Sequence, residues 1–193
     1  MQKHTHFNTH LRELLEAAAF LSDYLIPDNI LQKFIGRRTI FCTMGKSAFA
    51  CKKVVYSARS FGLNWHDIDV FHAFHGDAGL IKGGDLLIFV SKSGETKETL
   101  KMAKHFCDWD TISMCSGQSS SLTKLCKDTI FIPIEKEGSP FQLAPMISTT
   151  LYMAVLHAIL CEVIHMEGIS FSDFAKNHSD GHIGTQIKGT NHV

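Results

Sequence analysis

The chain has 193 residues and 21.5 kDa, with 45% hydrophobic and 20% charged residues, an ordinary globular balance that excludes a disordered chain. Lysine plus arginine and aspartate plus glutamate both total 19, so neither a basic nucleic-acid surface nor a polybasic membrane patch is expected. Twelve histidines make the net charge sensitive to pH near neutrality.

Leu11, Leu14, Leu15, Ala18, Leu21 and Leu25 recur at helical spacing and predict an amphipathic helix over residues 8–25, capped by Asn8 or Thr9 and stopped by Pro27. A second short helix follows Asp28 and ends before Gly36. Short β-rich runs then alternate with helical stretches. Strands are predicted at 39–43, 65–69, 85–91, 110–115 and 128–134, and helices at 47–61, 72–81, 96–107 and 119–126. A loop over 135–145, a long helix over 147–167 and a shorter one near 172–178 complete the chain. Alternating strands and helices predict a five-stranded parallel sheet in a three-layer α/β/α sandwich, with right-handed crossovers and flavodoxin-like strand order. The expected organisation is one domain: N-terminal helices over 8–35, an α/β core over 37–167 and a C-terminal segment over 168–193.

None of the six cysteines (Cys42, Cys51, Cys107, Cys115, Cys126 and Cys161) forms a CxxC pair, which predicts thiols in a reducing compartment and no zinc site. Residues 1–10 are polar and lack the apolar core of a signal peptide. The most apolar long run, 151–164, contains His157 and Glu162 and is too short to span a bilayer. A soluble cytoplasmic protein with no membrane contact is therefore expected.

In an open α/β sheet, ligands bind beyond the carboxyl ends of the strands, where the strand order reverses. The first and third strands flank that reversal. One ends in Thr43-Met44-Gly45-Lys46-Ser47 and the other in Ser91-Lys92-Ser93-Gly94-Glu95-Thr96, and both run straight into helices. Each turn offers hydroxyls, backbone N–H groups and a helix N-terminus, which suit a phosphate dianion, and Lys46 adds a full charge. Either turn alone is explained as well by helix capping and tight turning. Nucleotide motifs fail: a Walker A loop ending at Lys46-Ser47 requires glycine at Ile40, and a dinucleotide fingerprint requires more glycines than Gly45. The spacings His72/His75 and His178/His182 are weak as metal pairs, and no metal or cofactor is expected.

Five stretches together carry a resemblance: Gly45-Lys46-Ser47; Ser91-x-Ser93-Gly94-Glu95-Thr96; His75-Gly76-Asp77-x-Gly79; Lys136-Glu137-x-x-Pro140-x-x-Leu143-Ala144-Pro145 leading into Ser148-Thr149-Thr150; and Asn177-His178-Ser179-Asp180-Gly181-x-Ile183-Gly184. In this order they resemble the sugar isomerase (SIS) family, whose members bind phosphosugars, and within it the arabinose 5-phosphate isomerases. The resemblance implies interconversion of ribulose 5-phosphate and arabinose 5-phosphate, toward the Kdo sugar of lipopolysaccharide or capsule. It implies catalytic roles for Lys46, His75, Glu95, Glu137 and His178. Gly45, Ser47, Ser91, Ser93, Gly94, Thr96, Ser148 and Thr149 match positions at or beside the phosphate. It also implies a dimer or tetramer in which a residue such as His75 completes a neighbour's site, with the N-terminal helix and the 151–164 helix as interface elements. The chain departs from the family at Thr43, usually glycine, at Lys92, usually a small polar residue, and at Ser179 and Asp180. It resembles a short form without the paired CBS domains of longer members.

Aldose–ketose isomerisation moves one proton between C1 and C2 through a cis-enediol, so it requires a carbon base, proton donors to oxygen and groups for the developing oxyanion. Glu137 and Glu95 are candidate carboxylate bases, their pKa values expected to be lifted by partial burial; Glu137 is favoured, with His178 as the competing assignment. Glu95 at a helix start also serves the helix dipole. The alternatives are an isomerase of another phosphosugar on the same fold and a non-catalytic phosphosugar sensor, which has no use for Glu137, His75 and His178 together.

Overall fold

The computed structural model describes residues 5–189. Its five-stranded parallel sheet has the order β2-β1-β3-β4-β5, with β1 at Thr39–Thr43, β2 at Trp65–Asp69, β3 at Leu86–Val90, β4 at Asp110–Cys115 and β5 at Asp128–Phe131. The order reverses between β1 and β3, where Cys42 lies beside Phe89. The helices are α1 (Thr5–Ala18), α2 (Asp28–Leu31), α3 (Gly45–Ser60), α4 (Val70–Ala73), α5 (Lys97–His105), α6 (Ser121–Leu125), α7 (Ile147–Met166), α8 (Phe171–Lys176) and α9 (Gly181–Gly189).

Alternation along the central strands builds two cores, because successive side chains leave a strand on opposite faces. Phe41, Leu86, Ile88 and Val90 point to one face with Trp65, beneath α3 and α7. Ile40, Cys42, Leu87 and Phe89 point to the other, where Met102 and Ala103 of α5 and Leu122 of α6 meet them. Every residue of β1 and β3 is buried, as a strand covered on both faces requires. The three-layer sandwich and its strand order are those expected from the sequence.

Several boundaries differ from expectation, each for a local reason. The first helix begins at Thr5, ahead of Asn8 and Thr9, so neither is its cap. At Ala18 it tightens into a 3-10 turn, Ala19–Ser22, that brings Phe20, Leu21 and Tyr24 onto the core. Tyr24 then anchors the segment by donating to the Phe131 carbonyl at 2.7 Å. The fifth strand stops at Phe131, short of 134, because Pro133 has no N–H for the ladder. The single helix expected over 72–81 is α4 followed by a separate 3-10 turn, Asp77–Leu80, broken at Gly76 with φ +120°.

The helix α9 goes beyond the expected elements, since Gly181 and Gly184 lower helix propensity. A Cβ on Gly184 would lie 2.8 Å from the His178 carbonyl, so this close packing needs glycine. Residues 190–193, the end of the predicted C-terminal segment, lie outside the described residues.

Helix α7, at 20 residues, is longer than the apolar run suggested and is long and apolar enough to cross a membrane by length and composition. Its Leu151, Val155, Leu156, Ile159, Leu160 and Val163 are buried in the core, while Ala154, Cys161 and Glu162 are exposed. Cys42, Cys51 and Cys115 are buried free thiols, Cys126 is half-buried, and Cys107 and Cys161 are exposed.

Candidate functional site

Both predicted turns lie at the carboxyl edge of the sheet, on the two strands flanking the reversal. The helices after them diverge: α3 covers one face and α5 the other, so a crevice opens between their N-termini. Gly45 turns the chain from β1 into α3 with φ +60°. Lys46 is exposed and Ser47 half-buried. Lys46 shares a groove of about 290 Å³ with Phe49, Ala50, Thr149, Thr150 and Met153, which brings the start of α7 beside the start of α3.

The turn after β3 is pinned by its own hydroxyls. Ser91 Oγ and Thr96 Oγ1 bond to each other at 2.9 Å, and the Glu95 N–H donates to Ser93 Oγ at 3.1 Å. The Gly94 carbonyl accepts from Leu122 N–H at 3.1 Å, which docks the turn on the start of α6. Glu95 is exposed and its Oε1 accepts the Ser121 N–H at 2.8 Å, so it caps α6. That backbone donor holds its carboxyl below the usual value, which corrects the expected lift: Glu95 is exposed, so burial has little to raise it with.

Glu137 is 2% exposed. Its Oε2 accepts from Met146 N–H at 2.9 Å, Ser148 N–H at 3.1 Å and the Ser148 hydroxyl at 3.0 Å, capping the first turn of α7 from a distant loop. Its Oε1 has no directional hydrogen bond but forms an ion pair with Lys92 Nζ at 2.8 Å. Burial pushes this carboxyl up, yet Lys92 and the three donors outweigh it and hold it below the usual 4.5. The expected lift by burial is therefore corrected, because the loss of water is more than replaced by donors.

Gln142, a non-glycine residue at φ 56°, shapes the loop by accepting from the N–H groups of Glu137 and Gly138 at 2.7 and 3.1 Å. Its amide reaches Glu13 of α1 at 3.0 Å, and His10 Nδ1 lies 3.0 Å from the Gly138 carbonyl. Nothing in the sequence pointed to Gln142, His10 or Glu13, whose contacts with this loop or across it span 128 or 129 residues in two cases.

Two histidines lie away from this crevice within the chain. His75 is exposed, just past α4, and its neighbour Phe74 packs against His105, the last residue of α5. His178 Nδ1 donates to the Phe174 carbonyl at 2.9 Å, and the ring stacks on that of Phe174 at 4.0 Å. Phe174 in turn touches Phe61, and Asn177 bonds the Ser60 carbonyl. Those contacts put His178 at the far end of α3, whose 16 residues carry the chain about 24 Å from the carboxyl edge. Asp180 turns to the Gly181 N–H at 2.8 Å. Among the described residues, no three His, Cys, Asp or Glu side chains converge as a metal site would need.

A doubly wound sheet with hydroxyl-lined turns on both sides of its switch point defines a class of α/β domain that offers backbone and hydroxyl donors to an anion. The chain belongs to the SIS family: the SIS domain model matches residues 36–161. It is 35% identical over 150 residues to the arabinose 5-phosphate isomerase KpsF of Escherichia coli O6:H1, covering 77% of this chain and 46% of that protein. The chain thus spans about half the length of the curated relatives it matches. A solved structure from E. coli CFT073, c3406 in complex with arabinose 5-phosphate, is 26% identical, with a TM-score of 0.81 over 89% of this chain and 95% of that one. The Methanococcus jannaschii protein MJ1247 shares the fold at 17% identity, with a TM-score of 0.67 over 90% of this chain and 97% of that one.

Proposed function

We propose that the chain is an aldose–ketose isomerase of phosphosugars, interconverting D-ribulose 5-phosphate and D-arabinose 5-phosphate. The observation that carries this reading is the ion pair between Lys92, inside the 91–96 turn, and the buried Glu137 carboxylate. It sets a proton-accepting group beside a turn built for an anion. A pure sensor needs the turn and has no need of the buried carboxylate. Likeness to KpsF and to the structure bound to arabinose 5-phosphate supports the pentose phosphate as substrate. With that pair of sugars the reaction supplies Kdo synthesis for lipopolysaccharide or capsule.

In this reading the phosphate sits on the N–H groups and hydroxyls of Ser91, Ser93, Gly94 and Thr96, with Gly45, Lys46, Ser47 and Thr149 across the crevice. Glu137 takes the C2 proton of the aldose. The C–H electron pair becomes the C1–C2 double bond of a cis-enediol, and the carbonyl oxygen receives a proton from a neighbouring donor. Glu137 returns the proton to C1 as the C1–C2 double-bond pair forms the new C–H bond, while the C2 hydroxyl gives up its proton to a neighbouring acceptor and becomes the ketose carbonyl. Lys46 balances the enediolate charge. Of the two base assignments, Glu137 is favoured because it meets the 91–96 turn within its own chain, whereas His178, at the far end of α3, reaches a crevice only from a neighbouring copy.

His75 and His178 then act from a neighbouring copy in a homo-oligomer, a tetramer by resemblance. The positions of exposed His75 and half-buried His178, both away from their own chain's crevice, support that arrangement. The test is an exchange assay: the full chain is incubated with arabinose 5-phosphate in deuterated water and loss of the C2 proton is followed by NMR. Exchange accompanied by ribulose 5-phosphate supports the reading. Exchange only with other phosphosugars moves it to another isomerase, and binding without exchange moves it to a sensor.

A further inference from the structure

Lys92 occupies the middle of the anion-binding turn, where the family usually has a small polar residue, and its ammonium is committed to Glu137 at 2.8 Å. Four groups hold that carboxylate. Two of them, the N–H groups of Met146 and Ser148, belong to the first turn of α7 and its cap and cannot leave without unwinding it, and the third, the Ser148 hydroxyl, is a neutral donor on the same turn, where it shares Oε2 with them. The fourth, Lys92, hangs on a flexible four-carbon stem rooted in the turn itself, and its side chain is 32% exposed. A carboxylate held by all four is a poor acceptor for a carbon proton, and Oε1 is the oxygen that only Lys92 covers.

We propose that Lys92 is a latch on Glu137 which the substrate's phosphate opens: a dianion seated in the 91–96 turn draws the ammonium to itself, parts it from Glu137, and frees Oε1 to accept the proton. The latch rests on the isomerase reading and deepens it, since phosphate becomes the condition for proton transfer as well as the grip. A sugar lacking phosphate leaves Lys92 in place and the base covered. Lys92 is in this sense a positioning and specificity-determining residue.

Other ionisable groups around the pair do not interfere. Tyr152 of α7, whose hydroxyl meets Ser116, and Cys115 of β4 are both pushed up by burial and stay neutral where a carboxyl titrates. Glu95 is turned to Ser121, and His10 and Glu13 of α1 reach the loop only through the Gly138 carbonyl and Gln142.

The test is a pH titration of the Glu137 side-chain carboxyl by carbon NMR on the full chain, with its resonance assigned through the backbone. The probe is sulfate, a tetrahedral dianion that keeps both charges in the acid range. Expected in the parent chain is a rise in Glu137 proton affinity of about tenfold on saturation with sulfate. In K92M, and in K92Q should the first fold poorly, the affinity is already raised without sulfate and sulfate adds little.

An equal rise in parent and variant is plain repulsion between two anions and overturns the latch. So does an unmoved Glu137 while the amides of residues 91–96 shift, an outcome that leaves the isomerase reading standing. Sulfate and arabinose 5-phosphate both failing to move those amides overturns the reading and the latch together.

Discussion

Gly94 and Ser120 are pressed together without room for a side chain between them: a Cβ on Gly94 would fall into the Ser120 hydroxyl and 2.5 Å from its Cβ. Gly94 also sits at φ +68°, where L residues are strained. The turn after β3 is therefore locked to the turn after β4. Gly94→Ala should cost about 1–3 kcal/mol of stability and weaken binding of inorganic phosphate. Urea denaturation and calorimetric titration check both, and a variant of parental stability would show that the docking yields easily.

Ser93 shapes the turn by accepting the Glu95 N–H, and its hydroxyl is exposed at the crevice. If the 91–96 turn holds the substrate's phosphate, that grip persists from ground state to transition state. Ser93→Ala should therefore raise KM with little change in kcat, as loss of uniform binding does. Steady-state kinetics with arabinose 5-phosphate decide it; a fall confined to kcat would place Ser93 in the chemistry.

Glu137→Gln should abolish turnover while phosphate binding is kept or tightened, because Lys92 is released. The same change should cost about 1–3 kcal/mol near neutral pH, since an amide oxygen replaces a charged acceptor of buried donors. A carboxyl held below 4.5 in the fold contributes stability that is fully present above that value and is lost as pH falls through its lowered folded value. Denaturation in urea across the acid range should then show a shallower decline for Glu137→Gln than for the parent chain. A normal rate in the variant would reassign the base.

Lys33 meets Asp110 and Asp128, both at 2.6 Å, and Arg37 meets Asp110, at the amino edge of β4 and β5. For Asp110, burial raises the carboxyl, but Lys33 and Arg37 outweigh it and hold it below the usual 3.8. Asp110→Asn should destabilise by about 1–3 kcal/mol at neutral pH, and less as pH drops below 3.8, with no effect on KM. Thermal melts and kinetics on the same sample measure the two.

If neighbouring copies supply His75 and His178, turnover per chain should fall as the assembly dissociates. Specific activity followed over a dilution series, alongside sedimentation, tests this. Monomers with full turnover would remove both histidines from the site.

The strands and the two turns were legible because their signals are local. Leu86, Leu87, Ile88, Phe89 and Val90 form an unbroken apolar run, and Ser93-Gly94 sits at its end. Helix ends were less legible where distant contacts override propensity: Tyr24 is fixed by Phe131, and Gly184 by the His178 backbone. Lys92 read as a departure from pattern, and no local signal ties it to a residue 45 positions on.

From the order of apolar runs and turn residues alone came the three-layer sheet, its reversal between β1 and β3, and two anion-suited turns facing one crevice, because periodicity and turn chemistry act over a few residues. Only the folded chain decided which charges meet. It buried Glu137 under the first turn of α7, gave it Lys92, and carried His178 to the far end of α3, because desolvation and ion pairing depend on groups that the chain brings together only when it packs.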